Sequence, residues 1–225
     1  MLMVNKIYVT HYAPLSDRKK KLLKDLDSLG IQANWFEQEP TPVNIQEMQK
    51  NTEELWKEKT QGIDYGGPVL WKPLTKSEIS LSYKHIKAFE DIIKNNINAA
   101  LVLEDDVVFD KNFVDNFNFN LINTPRDWDM IFIGSGCGLR VPAHRRQSGM
   151  VAYRKDHPAS KCTDSYLINH AAAVKIYEMI LPFTMPIDFE LNYQMKEHNM
   201  SVYWWEPPVT TQGSQCGLYK SEIIK

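Results

Sequence analysis

At 225 residues, with 43% hydrophobic and 24% charged residues, the chain is long enough to bury a sizeable core in one domain. Its 26 Lys plus Arg against 28 Asp plus Glu leave a net charge of −2, which supplies no electrostatic footprint for nucleic acid or an acidic membrane surface. No run reaches the roughly 18 to 20 apolar residues of a transmembrane segment, and Met1 to Thr10 lacks the apolar stretch of a signal peptide. A soluble, cytoplasmic protein is therefore expected, unless the chain is a piece of something larger. The short basic stretches, Arg18 to Lys21 and His144 to Arg146, read as solvated faces. Cys137, Cys162 and Cys216 are too few and too scattered for a zinc knuckle or a disulfide framework. They fit a reducing compartment, with a single bridge left open.

The chain opens as strand, helix, strand. Ile7-Tyr8-Val9 suits a buried parallel strand. Ser16 is placed to cap a helix in which Leu15, Leu22, Leu26 and Leu29 recur at helical spacing and Gly30 makes the stop. Residues 31–36 predict a second strand. The stretch 37–73 mixes Pro40, Pro42 and Pro68 with Gly62, Gly66 and Gly67, and predicts an excursion from the sheet with one short helix near 53–59. Thr75-Lys76-Ser77-Glu78 has the form of a capping box, opening a helix with Ile79, Ile86, Phe89 and Ile93 on one side.

Ala99 to Leu103 is a continuous apolar run, as in a central parallel strand, and ends in Glu104-Asp105-Asp106. A helix carrying Phe113, Phe117 and Leu121 follows, then a strand from Met130 to Ile133 stopped by Gly134. The irregular residues 134–161 predict a mobile loop. Beyond it come a strand at 166–168, a helix at 171–180, another after Pro186 reaching about His198, and a strand at 202–205 before a polar tail. Repeated strand–helix alternation predicts an α/β fold with a mainly parallel sheet covered on both faces.

The acidic triplet carries the chemistry. Three consecutive carboxylates repel one another without a counter-charge, and open α/β sheets bind ligands at the carboxyl ends of their strands. Oxygen ligands there suit Mn²⁺ or Mg²⁺ bridging to phosphate, or simply punctuate a strand–turn junction. A metal-dependent phosphoester hydrolase is the competing enzyme class, although only six His occur and none are paired at ligand spacing.

Ala100 to Val107 resembles the metal-site signature of glycosyltransferase family 25, which includes bacterial lipooligosaccharide galactosyltransferases, collagen hydroxylysine galactosyltransferases and viral enzymes. Leu74 to His85 is similar to that family's LTxGEIGCxxSH segment, with Ser77, Ser80 and Leu81 where Gly, Gly and Cys are usual, and Glu78 and His85 kept. Tyr8-Val9 with Asp17-Arg18, Thr163 to Ala172, Pro186-Ile187-Asp188, Glu206-Pro207-Pro208 and Gln212-Gly213-Ser214 resemble further family segments, in order along nearly the whole chain.

The resemblance implies a GT-A glycosyltransferase fold in one domain spanning 1–225, with a Rossmann-like donor-binding half at about 1–110 and an acceptor half at about 111–225. It implies inverting transfer from a nucleotide sugar, a UDP-sugar above all, to a glycan or protein hydroxyl, as in lipopolysaccharide or other glycan biosynthesis. Inversion needs one general base and no covalent intermediate. A catalytically silent glycan-binding or assembly protein of the same fold is the alternative raised by the changed Gly and Cys positions. A viral relative would place it in a host cell or virion. Donor sugar, acceptor and oligomeric state are left open.

Site roles follow the same resemblance. Asp106 is first choice for the metal, with Glu104 helping, and Asp105 and Glu104 are assigned to donor contacts. Asp188 is the base or a further metal contact, or only a first-turn stabiliser of its helix. Glu78 is a second catalytic candidate and His85 a donor contact; seven residues apart, they share a helix face, the alternatives being a capping box alone for Glu78 and a place at the border of the core alone for His85. Arg18 suits the diphosphate, and Gln212 sits in a tail that closes over the donor or is disordered. Trp71, Trp204, Trp205 and Tyr203 are sugar-stacking platforms or, more commonly for strand aromatics, core residues.

Overall fold

The computed structural model describes residues 1–4, 6–63 and 70–219. Gly66, Gly67 and Pro68 of the proline- and glycine-rich excursion lie outside them. Among the described residues a seven-stranded sheet has the order β2-β1-β3-β7-β5-β8-β6. These are β1 (Lys6–Thr10), β2 (Asn34–Phe36), β3 (Ala99–Glu104), β5 (Met130–Phe132), β6 (Ala152–Arg154), β7 (Ser165–Asn169) and β8 (Val202–Trp205). Strands β2, β1, β3, β5 and β8 run one way, with β7 and β6 opposed. This is the expected mainly parallel sheet with helices on both faces. One continuous sheet crosses the middle of the chain, because β3 pairs directly with β7.

The apolar run in β3 has a simple cause. Successive side chains of a strand point to opposite faces, and both faces here are covered. Tyr8, Ala100 and Val102 enter one core with Ile86, Phe89 and Ile92 of α4 (Lys76–Lys94), Ile176 of α6 (His170–Ile180) and Leu191 of α7 (Ile187–Glu197). Ile7, Val9, Leu101 and Leu103 enter the other with Leu22 and Leu26 of α1 (Ser16–Ser28) and Phe113 and Phe117 of α5 (Phe113–Ile122). A strand buried on both sides has no polar face to alternate.

The capping box at α4 forms as expected: Glu78 N–H donates to Thr75 Oγ1 at 3.2 Å, and Thr75 N–H to Glu78 Oε2 at 2.7 Å. Other local expectations need correction. Leu15, not Ser16, occupies the cap position of α1, and no side chain caps that helix. Gly30, at φ +65°, does end the segment, in a left-handed conformation that suits glycine. The second strand is confined to 34–36. Among its described residues the excursion holds two helices, α2 (Pro42–Met48), opened by Thr41 with Asn44, and α3 (Glu53–Thr60). The loop expected over 134–161 contains β6, which pairs with β8 at the sheet edge. A short β4 (Val107–Phe109) pairs antiparallel with β9 (Thr210–Gln212), so the tail folds back onto the acidic triplet. No described helix is long and apolar enough to cross a membrane.

Candidate active site

The C-terminal ends of β1 and β3 lie side by side, Thr10 in register with Glu104, and the acidic triplet begins there. Its three carboxylates meet three different environments. Asp105 is tied to the segment after β1: its Oδ2 lies 2.8 Å from His11 Nδ1 and accepts from Tyr12 N–H at 3.2 Å, while Oδ1 accepts from Arg18 at 3.1 Å. Arg18 also stacks its guanidinium over the Tyr219 ring at 5.0 Å. This network fastens α1 and the tail to the strand end.

Asp106 is 3% exposed. Its Oδ2 accepts from Ser214 N–H at 3.1 Å, and its backbone carbonyl accepts from Gly213 N–H at 2.7 Å. Its Oδ1 is buried without a hydrogen-bond partner. Burial, reinforced by the charge of Glu104 and opposed by the Ser214 bonds, raises its pKa to about 6. Glu104 accepts from Thr163 Oγ1 at 2.6 Å, and its Oε1 lies 3.7 Å from His85 Nε2. His85 is fully buried, with Nδ1 2.8 Å from the Tyr166 hydroxyl and Nε2 facing Glu104 without a hydrogen-bond partner.

A fourth carboxyl, absent from the sequence-derived candidates, joins this group. Asp164, at the mouth of β7, is buried and accepts from Ser165 Oγ at 2.8 Å. Burial, followed by the charges of Glu104 and Asp106, holds its pKa well above the usual carboxylate range. The backbone packs against it without room for a side chain: a Cβ on Gly134 would fall 2.0 Å from Asp164 Oδ2, and one on Gly136 1.7 Å from the Lys161 carbonyl. Asp164 falls inside the family-like segment Thr163 to Ala172, but as a residue it offered only a lone charge beside an apolar strand, a pattern many surface residues share.

Asp188 stands in the first turn of α7, after Pro186 at the cap position. Its Oδ1 accepts from Phe189 N–H at 3.0 Å. Burial first, then the charge of Glu104, raises its pKa to about 6. Glu78 faces the same space, but both its oxygens are engaged, Oε2 by Thr75 and Oε1 by Lys72 Nζ at 3.0 Å.

Two cavities meet at this point. A smaller one, of about 80 Å³, is lined by His11, Tyr12, Arg18, Ser80, Lys84 and the whole acidic triplet. A larger one, of about 420 Å³, is lined by Trp56, Lys72, Glu78, Thr163, Asp188 and Phe189. Leu81, Glu104, Gln212 and Ser214 belong to both walls. The structure thus gathers Arg18, Glu104, Asp105, Asp106 and Gln212 on one side and Glu78 and Asp188 on the other, with His85 behind Glu104. Lys84 was not foreseen as a site residue; buried on α4, its Nζ donates to Ser80 Oγ at 2.8 Å and pairs with Glu39. Among the described residues no three His, Cys, Asp or Glu side chains are grouped as a metal cage.

The strand aromatics resolve as core. Trp204 packs into one core and Tyr203 and Trp205 into the other, with Trp205 Nε1 donating to Thr124 at 2.9 Å. Trp71 is half-buried and lines neither cavity. Among the described residues, the aromatic rings lining the larger cavity are Trp56 and Phe189, with centroids 5.8 Å apart.

The family model described as glycosyltransferase family 25 (LPS biosynthesis protein) matches residues 4–137. Procollagen galactosyltransferase 1 of Danio rerio is 26% identical over 143 residues, covering 62% of this chain and 24% of that protein. Procollagen galactosyltransferase 2 of Homo sapiens is 24% identical over 208 residues, covering 88% of this chain and 32% of that protein. The chain therefore spans a quarter to a third of the length of these curated relatives. A solved glycosyltransferase involved in glycosylation of the major capsid of PBCV-1 aligns over 92% of both chains, with 11% identity and a TM-score of 0.44.

Proposed function

The chain belongs to glycosyltransferase family 25, and from that premise we propose that it moves a sugar from a nucleotide-linked donor to a hydroxyl of a glycan or protein acceptor, with inversion at the anomeric carbon. The observation that carries this reading is the pair of cavities sharing a wall at Glu104, Gln212 and Ser214. An inverting displacement needs donor and acceptor on opposite sides of one reacting carbon, and two joined cavities offer that arrangement.

The smaller cavity suits the diphosphate end of the donor. Arg18 and Lys84 supply positive charge there, and guanidinium in particular matches phosphate oxygens. A UDP-sugar is the donor class implied by the family resemblance. The donor half, about 1–110, supplies this cavity apart from Gln212 and Ser214 of the tail. The larger cavity suits the acceptor, with Trp56 and Phe189 as apolar surface for a sugar ring.

A divalent cation fits the acidic corner, because Asp106 Oδ1 is buried and unpartnered beside Glu104. Small hard cations are commonly held by one or two carboxylates together with substrate phosphates, so a protein cage of three ligands is not required. Asp106, with Glu104 beside it, would hold Mn²⁺ or Mg²⁺, which when bound would neutralise charge on the departing diphosphate. Asp188 acts as the base: its carboxylate takes the proton of the acceptor hydroxyl as that oxygen attacks. A raised pKa near 6 makes it a stronger base than an ordinary aspartate while leaving it ionised at neutral pH. Lys72 and Thr75 hold Glu78 in a supporting position on the same wall.

The test is donor turnover with a panel of nucleotide sugars in Mn²⁺, repeated in excess EDTA. The expected result is nucleoside diphosphate release from at least one donor, lost in EDTA and in Asp106→Asn. Undiminished turnover in EDTA would remove the metal from the reading, and no turnover with any donor would leave a silent binding protein.

A further inference from the structure

Two of the three scattered cysteines meet in space. Cys137 lies in the tight turn after β5 and Cys162 in the segment leading to β7, 25 residues apart, yet their Sγ atoms are 2.7 Å from each other. Both have left-handed backbone, at φ +56° and +64°. That conformation is uncommon for residues other than glycine and persists where the surroundings over-determine it. Both side chains line the larger cavity beside Asp188, and neither is fully buried, so small solutes reach them. Gln215 Nε2 approaches Cys162 Sγ at 3.7 Å from the folded-back tail.

We propose that Cys137 and Cys162 are a redox modification site, a dithiol that closes reversibly to a disulfide in the wall of the acceptor cavity and alters acceptor binding. The oxidant class is a low-molecular-weight disulfide such as glutathione disulfide. The Cys137 thiolate attacks one sulfur of the oxidant, whose S–S bond breaks, and one glutathione thiolate leaves and takes up a proton. Cys162 then attacks Cys137 Sγ in the mixed disulfide and displaces the second glutathione. In total two protein thiols are oxidised, one oxidant disulfide is reduced and two glutathione thiols are released. The hydrogen bond from the Cys162 thiol holds the Cys137 thiol below its ordinary pKa, which favours the attacking thiolate. The new bond would join the turn at Gly136–Gly138 to the segment carrying Thr163, the partner of Glu104. The naming of the cavity as the acceptor's rests on the proposed function; the chemistry of the pair does not.

The test treats the full chain with glutathione disulfide or dithiothreitol, followed by non-reducing peptide mapping. The expected product is a Cys137–Cys162 cross-linked peptide, two hydrogens lighter than the free pair and restored by dithiothreitol. Cys216→Ser should still form it. Cys137→Ser and Cys162→Ser should not, and instead should carry a stable glutathione adduct on the remaining thiol. Free thiols, or separate adducts on both cysteines of the wild type, would overturn the pairing whatever the transfer assay shows. Where transfer is measurable, oxidation should change the acceptor KM of wild type and leave that of the Cys137→Ser/Cys162→Ser double variant, which can form neither bridge nor adduct there, at its own reduced value. A bridged wild type with unchanged acceptor KM would overturn the link to acceptor binding.

Discussion

Glu104 lies close enough to Asp106, Asp164 and Asp188 for its charge to raise the proton affinity of each, and burial acts on all three in the same direction. The consequence for stability has a definite sign. A carboxyl whose folded pKa exceeds its unfolded value near 3.8 makes the fold bind more protons than the unfolded chain, so stability declines as pH rises across that interval. For Asp106 and Asp188 the decline runs from about pH 4 to about pH 6, and for Asp164 it continues higher. Asp164→Asn removes one titrating group while keeping an oxygen for Ser165. Between pH 5 and 7 its stability should fall less steeply than that of wild type, by up to about 1.4 kcal/mol per pH unit for one proton. Denaturant melts across that range provide the check; parallel slopes would mean that Asp164 is ionised throughout. Asp164 was illegible in sequence because its significance lies in what surrounds it. Asp106 was legible because an apolar strand ending in three acids is a local pattern.

At the scale of elements, legibility followed the range of the forces involved. The capping box at Thr75 and the stop at Gly30 are local, and both formed. Strand β3 was readable because burial on both faces leaves an unbroken apolar run. Strands β6 and β4 were not, since each is three residues long and exists through pairing with a distant partner. The cap of α1 was misplaced because Leu15 takes that position with no side-chain bond, so a hydroxyl at Ser16 had no part in it. The turn at Gly134–Gly138 shows how an element serves the site. Its close approach to the segment 161–164 needs bare backbone at Gly134 and Gly136, and Gly136 faces backbone that cannot swing away. Gly136→Ala should therefore destabilise the fold by about 1–3 kcal/mol or more, as overpacking of a filled site does. Thermal or denaturant unfolding measures it. A variant as stable as wild type would show that this turn has slack.

Across the whole molecule, the sheet brings together parts of the chain that sequence reading could only rank separately. Strand β3 supplies the acidic corner, α4 supplies Lys84 and Glu78, α7 supplies Asp188, and the tail closes the corner through Gly213 and Ser214. Family-like order along the chain pointed to several of the segments that line the two cavities. It did not foretell that Asp105 is consumed by His11, Tyr12 and Arg18, or that the strand tryptophans turn into the cores, because those outcomes depend on tertiary neighbours. The division of labour across Glu104, with donor on the Asp106 side and acceptor on the Asp188 side, is the claim on which the functional reading stands. Its most direct measurement is the turnover of Asp188→Asn under saturating donor and Mn²⁺, with nucleoside diphosphate affinity determined by calorimetry on the same sample. The account predicts turnover lowered by about 10² to 10⁴-fold, the usual contribution of a positioned base, with nucleotide affinity at the wild-type value. Wild-type turnover in that variant would contradict it, and a matching loss of metal-dependent nucleotide affinity would move Asp188 from the acceptor side to the metal.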